Sequence, residues 1–175
     1  MTRIIALVLC SLSLALASTA QAATVSFVSV LNGSSSVPPN TSTATGTATM
    51  SFDDVSNLFD LSINVIGLNK ATLTNSHIHL GAVGINGGIL VGLGGGSSPN
   101  WTDTATGMSL ALTGQAFPAA NAADLLAGNT YLNLHTGAFP AGQIRGQLTP
   151  VPVPAAVWLL GSGLIALLGA ARAKR

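Results

Sequence analysis

The chain contains three histidines, and two of them share one tripeptide, His77-Ile78-His79. The third, His135, ends the segment Tyr131-Leu132-Asn133-Leu134-His135. Residues two apart on a β-strand point to the same face, so His77 and His79 project together while Ile78 and Leu80 turn to the core. The same rule sets Leu132 and Leu134 inward and Tyr131, Asn133 and His135 outward. If the two strands are neighbours, three imidazoles converge. Three imidazole nitrogens suit zinc or copper and leave one coordination position open. The competing reading is structural: the histidines hydrogen-bond Asn, Thr and backbone groups to close strand ends, or pair with Asp103 or Asp124. The sequence alone favours that structural reading, because nothing in it places the strands side by side. Arg145, flanked by Gln143 and Gln147 on a charge-poor strand, reads as a donor to backbone carbonyls or an aspartate rather than a ligand binder. Asn133 reads as a strand-edge hydrogen-bonder and Tyr131 as a wall of the fold.

Other chemistries find little support. There is no Gly-x-Ser-x-Gly elbow, phosphate loop or dinucleotide fingerprint, so an enzyme is not expected. Asp53 and Asp54 are adjacent in a turn, where their side chains diverge and solvation accounts for them. The one cysteine, Cys10, lies in an N-terminal apolar run behind Leu9, where a lipoprotein cleavage site needs a small residue. Thiol, disulfide and cysteine–metal chemistry are therefore not expected. Arg3, Arg172, Lys174 and Arg175 belong to the two chain ends, which leaves Lys70 and Arg145 against five aspartates, a net −3 between the ends. A domain of that sign does not attract a phosphate backbone, so nucleic acid is not a partner.

The elements that must position these side chains are short and β-prone. Residues 23–149 make one domain, large enough to bury a core without disulfides. Turn-rich clusters at Gly33 to Asn40, Gly84 to Gly88, Gly94 to Asn100 and Gly137 to Gly142 punctuate it. Strands are predicted at Thr41 to Phe52, Leu58 to Leu68, His77 to Leu80, Gly88 to Leu93, Met108 to Leu112, Tyr131 to His135 and Gln143 to Leu148. The clearest puts Phe59, Leu61, Ile63 and Val65 on one face. Asp53 to Asn57 reads as a hairpin turn before it. One short helix is predicted over Ala122 to Ala127, capped by Asn121 and ended by Gly128. The fold class is all-β, a sandwich or barrel.

Two segments carry a family resemblance: Ser76-His77-Ile78-His79-Leu80-Gly81, and the run from Leu125 to Leu148. The second contains Gly128, Tyr131, Asn133, His135, Thr136, Pro140, Gly142, Ile144, Arg145, Gly146 and Gln147 at the spacing of the chordin-type, or CHRD, domain. The chain resembles that family over nearly all of residues 24–148. One departure is Gln143, where the family usually has Glu, which puts in doubt any role needing a carboxylate there. The resemblance implies an immunoglobulin-like β-barrel, distantly similar to copper/zinc superoxide dismutase, and brings no established activity. Superoxide dismutation would need more than three histidines at its metals.

The ends read as targeting segments. Arg3, the apolar stretch Ile4 to Leu16 and Ala20-Gln21-Ala22 make residues 1–22 a signal peptide for signal peptidase. Residues 150–175 hold Val151-Pro152-Val153-Pro154-Ala155, then an uncharged apolar run from Ala155 to Ala171, then Arg172, Lys174 and Arg175. That order resembles the Val-Pro-Leu-Pro-Ala variant of PEP-CTERM sorting signals, with Val153 in place of leucine. It implies a bacterial, exosortase-like membrane protease. The apolar run is long enough to span the hydrocarbon core as a transmembrane helix with its basic end cytoplasmic. The expectation is thus an exported, non-enzymatic β-sandwich at the cell surface or in the matrix, engaging a surface protein or exopolysaccharide. The alternative is a zinc- or copper-binding domain, conceivably redox-related, built on His77, His79 and His135. Pro152 and Pro154 hold the sorting segment extended and open to a protease. The mature protein is expected to lack Ala156 to Arg175, cut near Pro154-Ala155. Mass spectrometry of the protein from its native cells checks this, and a mature C-terminus at Arg175 would indicate an uncut membrane anchor.

Overall fold

The computed structural model describes residues 24–152, within which ten strands run in chain order. They are β1 (Thr24–Asn32), β2 (Thr45–Asp53), β3 (Leu58–Ile66), β4 (Leu73–Leu80), β5 (Ile89–Gly92), β6 (Trp101–Asp103), β7 (Gly107–Ala116), β8 (Thr130–Thr136), β9 (Ile144–Gln147) and β10 (Thr149–Pro150). One short α-helix, α1 (Ala122–Leu126), precedes β8. The predicted signal peptide and the predicted transmembrane segment lie outside the described residues, as do Val153, Pro154 and Ala155 of the sorting motif. No helix among the described residues is long and apolar enough to cross a membrane.

Alternation decides which face each strand buries. In β3, Phe59, Leu61, Ile63 and Val65 are buried while Leu58, Asp60, Ser62, Asn64 and Ile66 are exposed. The turn before it is closed by Asp53, whose carboxylate accepts from the N–H groups of Val55 and Ser56, and by Asn57 at a φ of 56°. These hydrogen bonds hold the Asp53 carboxyl below its usual pKa. Strand β2 pairs with β3 through a continuous antiparallel register from Thr45↔Ile66 to Asp53↔Leu58. A one-residue slip would turn the whole apolar row of β3 to water, so burial fixes the register.

All the strands join one antiparallel sheet in the order β5-β4-β8-β9-β1-β2-β3-β7-β6, with β10 beside β1. The sheet curls on itself. Trp101 in the terminal strand β6 is fully buried, and its indole N–H donates to Ser76 Oγ in β4 near the opposite end, at 3.2 Å. Ser76 Oγ in turn donates to the Gly94 carbonyl. The enclosed core joins Phe27, Phe52 and Ile63 from one half of the sheet to Ile78, Leu132 and Ile144 from the other.

The structure adjusts several sequence boundaries. Strand β4 starts at Leu73 rather than His77, β2 at Thr45 rather than Thr41, and β9 at Ile144 with Gln143 in the preceding turn. Strands β1, β6 and β10 were not anticipated. β1 follows directly on the predicted export signal, and β6 is three residues in a Gly/Ser/Asn-rich stretch. Asn121 does not cap α1. A 3-10 turn over Ala119–Asn121 runs straight into the helix and leaves Asn121 at φ −111°, ψ 8°. That is far from the extended conformation a side-chain cap needs, and the amide donates to Asp124 Oδ2 instead. Gly128 does end the helix, at φ 74°, with its N–H on the Leu125 carbonyl.

Phe59, Leu61, Ile63, Leu132, Leu134 and Ile144, expected to share a core, are all buried in one cluster. Ile63 has no exposed surface. Ile63→Ala should cost about 2–5 kcal/mol of stability through transfer and cavity losses. Ile63→Asp should abolish cooperative folding, because it strands a charge in an apolar site. Thermal unfolding followed by circular dichroism checks both, and a cooperative Ile63→Asp protein would show that the strand faces outward.

Candidate metal centre

Strands β4 and β8 are neighbours, in an antiparallel register that sets His77 opposite Asn133, His79 opposite Tyr131 and Asn75 opposite His135. His77 and His135 are therefore diagonal neighbours on one face, within the reach of ring side chains. The ring centroids lie 5.3 Å apart for His77–His79, 5.2 Å for His77–His135 and 6.0 Å for His79–His135. One ligand nitrogen from each ring lies within 4.8 Å of the other two. Three nitrogens bound at about 2.0–2.1 Å to one ion sit roughly 3.3–3.6 Å apart, a contraction that small ring rotations supply. No carboxylate or thiolate joins the cluster among the described residues.

Hydrogen bonds fix which nitrogens are available. His79 Nδ1 is 3.0 Å from the Gly87 carbonyl and His135 Nδ1 is 2.9 Å from the Pro140 carbonyl. A carbonyl only accepts, so each Nδ1 carries the hydrogen and each Nε2 is left with a bare lone pair. His79 Nε2, His135 Nε2 and His77 Nδ1 are all buried without a hydrogen-bond partner. Anchoring one ring nitrogen on a carbonyl so that the other faces the ion is how metal-ligating imidazoles are oriented. The electrostatics agree. Burial, then the neighbouring His135 and His79, push the His77 pKa down to about 4. Burial also lowers that of His79, opposed by its bond to Gly87, with His135 and Arg145 lowering it further. At neutral pH His77 and His79 are uncharged, the form that binds metal.

The face that carries the histidines was expected to point outward. It is covered. Tyr131 and Asn133 are buried, and His77 and His79 are only 9% and 8% exposed. Two connections form the cover, residues 81–88 between β4 and β5, and residues 137–143 between β8 and β9. Arg145 straps down the first, donating through Nη2 to the carbonyls of Ala82 and Ile85 and through Nη1 to Asn86 Oδ1. The Arg145 guanidinium lies 3.5 Å from the centroid of the Tyr131 ring. That ring stacks on His79 at 5.0 Å and 8°. The Tyr131 hydroxyl accepts from the Gly87 N–H, so one residue is tied through its backbone to both Tyr131 and His79. Gln147 donates to the carbonyls of Gly81 and Gly128. In the second connection, Asn133 Nδ2 donates to the Ala141 carbonyl. Gly142, at φ 126°, allows that approach, because a Cβ there would run into the Asn133 amide.

Arg145 thus donates to backbone carbonyls, as its isolation on a charge-poor strand implied. Asn133 is not at a strand edge, since β8 is paired on both sides. The proposed aspartate partners are engaged elsewhere: Asp103 accepts from the Lys70 N–H and Asp124 from Asn121. Leu80, expected in the core, is half-buried at the end of its strand. Gln143 accepts from Thr136 Oγ1 and donates to Ser42 Oγ, bridging the two hydroxyls. The part of the site that the sequence reading missed is the Tyr131–Gly87–Arg145 clamp. Its one sequence signal was the density of glycines around Gly81 to Gly88.

An all-β domain with a buried histidine cluster held between β4 and β8 is the class these features define. The chain belongs to the CHRD domain family, whose sequence profile matches residues 27–148. CHRD domains are modules of extracellular type, which is consistent with an exported protein. No curated protein and no solved structure matches the chain.

The low His77 pKa has a stability consequence. Between its ordinary value of 6.5 and about 4, the unfolded chain binds a proton at this position and the folded chain does not. Stability therefore rises with pH across that interval and is lost as pH falls through it. With metal removed by chelator, the melting temperature should drop as pH is lowered from about 6.5 to 4. His77→Gln, which cannot titrate, should flatten the drop. An unchanged slope in that variant would contradict the assignment.

Proposed function

We propose that this chain is an exported CHRD protein whose domain binds one transition-metal ion, zinc or copper, through His77, His79 and His135. The observation that supports the reading most is the set of three lone pairs, His77 Nδ1, His79 Nε2 and His135 Nε2. All are buried and none has a hydrogen-bond partner, and the three rings each place a ligand nitrogen within 4.8 Å of the others. Leaving three buried ring nitrogens unsatisfied side by side is costly. A metal ion removes that cost at all three at once. The tautomers that the Gly87 and Pro140 carbonyls impose on His79 and His135 are those a metal requires. An ion held by three protein nitrogens keeps room in its coordination shell for an external ligand, as open zinc sites do.

The cellular setting is part of the same proposal. Residues 1–22 export the chain, and the Val151–Ala155 motif with its apolar run and basic end holds it in the membrane for an exosortase-like protease. The outer domain then acts at the cell surface or in the matrix, where a surface protein or exopolysaccharide is its partner. Co-sedimentation with isolated exopolysaccharide measures that contact. Strands β1, β2, β3 and β7 turn a nearly uncharged row such as Val28, Thr49, Ser62 and Ala111 to solvent along a shallow depression, a surface suited to a neutral polymer. We extend the fold to an immunoglobulin-like sandwich closed towards a barrel, in which the two halves of the curled sheet are the layers.

Metal analysis of the full chain purified in detergent tests the central claim. One equivalent of zinc or copper should remain bound, and adding metal to chelator-treated protein should raise the melting temperature. Stabilisation grows with metal concentration by about 2.7 kcal/mol at one hundred times Kd. The His77→Ala/His135→Ala double variant should lose both effects. A wild-type protein that takes up neither metal, with no thermal shift, would sink the reading.

A further inference from the structure

We infer that the ion this centre selects is monovalent copper, Cu(I), in preference to Zn(II) or Cu(II). The inference rests on the three-histidine reading above and deepens it, and it comes from the charge of everything that surrounds the ion.

The donors are three neutral imidazoles, and no carboxylate or thiolate joins them among the described residues. Nothing in the ligand set therefore offsets the charge of the ion. The three donor atoms are buried, and the Born cost of holding an ion in such a place rises with the square of its charge. A divalent ion bears about four times the penalty of a monovalent one of similar size. A second cation sits close by. Arg145 is 2% exposed, and its hydrogen-bond partners are the carbonyls of Ala82 and Ile85 and the Asn86 amide oxygen, all neutral. Its guanidinium lies against Tyr131, whose ring is stacked on the ligand His79. The repulsion between that charge and the ion doubles when the ion is divalent. Four of the aspartates serve elsewhere: Asp53 closes the β2–β3 turn, Asp60 accepts from the Gly114 N–H, Asp103 from Lys70 and Asp124 from Asn121.

Coordination number points the same way. Zn(II) completes a tetrahedron and Cu(II) prefers a tetragonal set, so each would have to admit an external fourth ligand, such as water, beneath the cover. Cu(I), with its single charge, is satisfied by three nitrogens and needs no such added ligand. Antiparallel pairing of β4 and β8 supplies three nitrogens and covers them with residues 81–88 and 137–143. Each of these features disfavours the second positive charge.

The test is an anaerobic competition on the full chain in detergent. Cu(I) is buffered by bicinchoninate, Zn(II) is reported by a chromophoric chelator, and Cu(II) is titrated separately. Cu(I) should bind one to one, displace Zn(II) at equal concentration, and show a Kd at least about tenfold lower than either divalent ion. X-ray absorption should show three nitrogen neighbours. Zn(II) or Cu(II) binding as tightly as Cu(I) would overturn the preference while leaving the three-histidine site intact. Failure of all three ions to bind would overturn the site itself, and this inference with it. Arg145→Gln keeps a donor for the loop carbonyls and removes the charge, so the margin for Cu(I) should narrow severalfold. An unchanged margin in a folded variant would overturn the role given to Arg145. Should that variant not fold, the competition on the unaltered protein decides the preference.

Discussion

The antiparallel pairing of β4 with β8 is the constraint on which the rest of the structure depends. Its register decides that Ile78, Leu132 and Leu134 fall on one face and His77, His79, Tyr131, Asn133 and His135 on the other. In most antiparallel sheets one such face meets water. Here the second face is covered too, with only His135 half-buried, so β8 lies between an apolar core and a second, polar one. Strand β9 then adds Arg145 opposite Asn133 and Gln147 opposite Tyr131, completing the polar side. Shifting that pairing by one residue would scatter the histidines and expose the leucines together. Fold and site are thus specified by the same hydrogen-bonded ladder.

A polar core must find partners for the groups it encloses, and most of the partners here are backbone, although Asn133 Oδ1 and Thr130 Oγ1 are left without one. Carbonyls of Gly81, Ala82, Ile85, Gly87, Pro140 and Ala141 accept from Gln147, Arg145, His79, His135 and Asn133. The bare nitrogens of the histidines differ from the other unpartnered atoms in lying together, one from each of three rings. Two of the rings are held by the nitrogen that would face away from an ion. A merely structural histidine gains nothing from that arrangement, since either nitrogen would serve it.

Much of this was legible in the sequence, and the failures have physical causes. The alternation in Leu58 to Ile66 placed β3 correctly because one side of that strand meets water and the pattern stays clean. The same two-residue rule found the shared face of His77, His79 and His135. It could not find what lies over that face. The cover comes from loops rich in Gly, Ala and Pro, and such residues in a sequence signal a turn rather than a lid. Burial of Tyr131 and Asn133 was missed for that reason. Adjacency of β4 and β8 was also invisible, since about fifty residues separate His79 from Tyr131 in the chain and alternation reports faces, not neighbours. Asn121 was misplaced as a helix cap because an unforeseen 3-10 turn had already set its backbone. Residues beyond 24–152, including Val153 to Ala155, are known here from their sequence alone.

The connection from Gly81 to Gly88 is gripped almost wholly through its main chain, by the Arg145 and Gln147 side chains, the His79 ring and the Tyr131 hydroxyl. Of its side chains only Asn86 shares in the grip, accepting from Arg145 and donating to the Val37 carbonyl, while Val83 is 78% exposed and Ile85 60% exposed. Such a segment separates holding from displaying. Its glycines are bound by geometry, with a Cβ at Gly87 meeting the Leu80 carbonyl, whereas positions 83 and 85 are free to vary without loosening the grip. Descendants of this chain could therefore change the face they present next to the histidines while keeping the histidines themselves in place, a division of labour more familiar from hypervariable loops on a conserved frame.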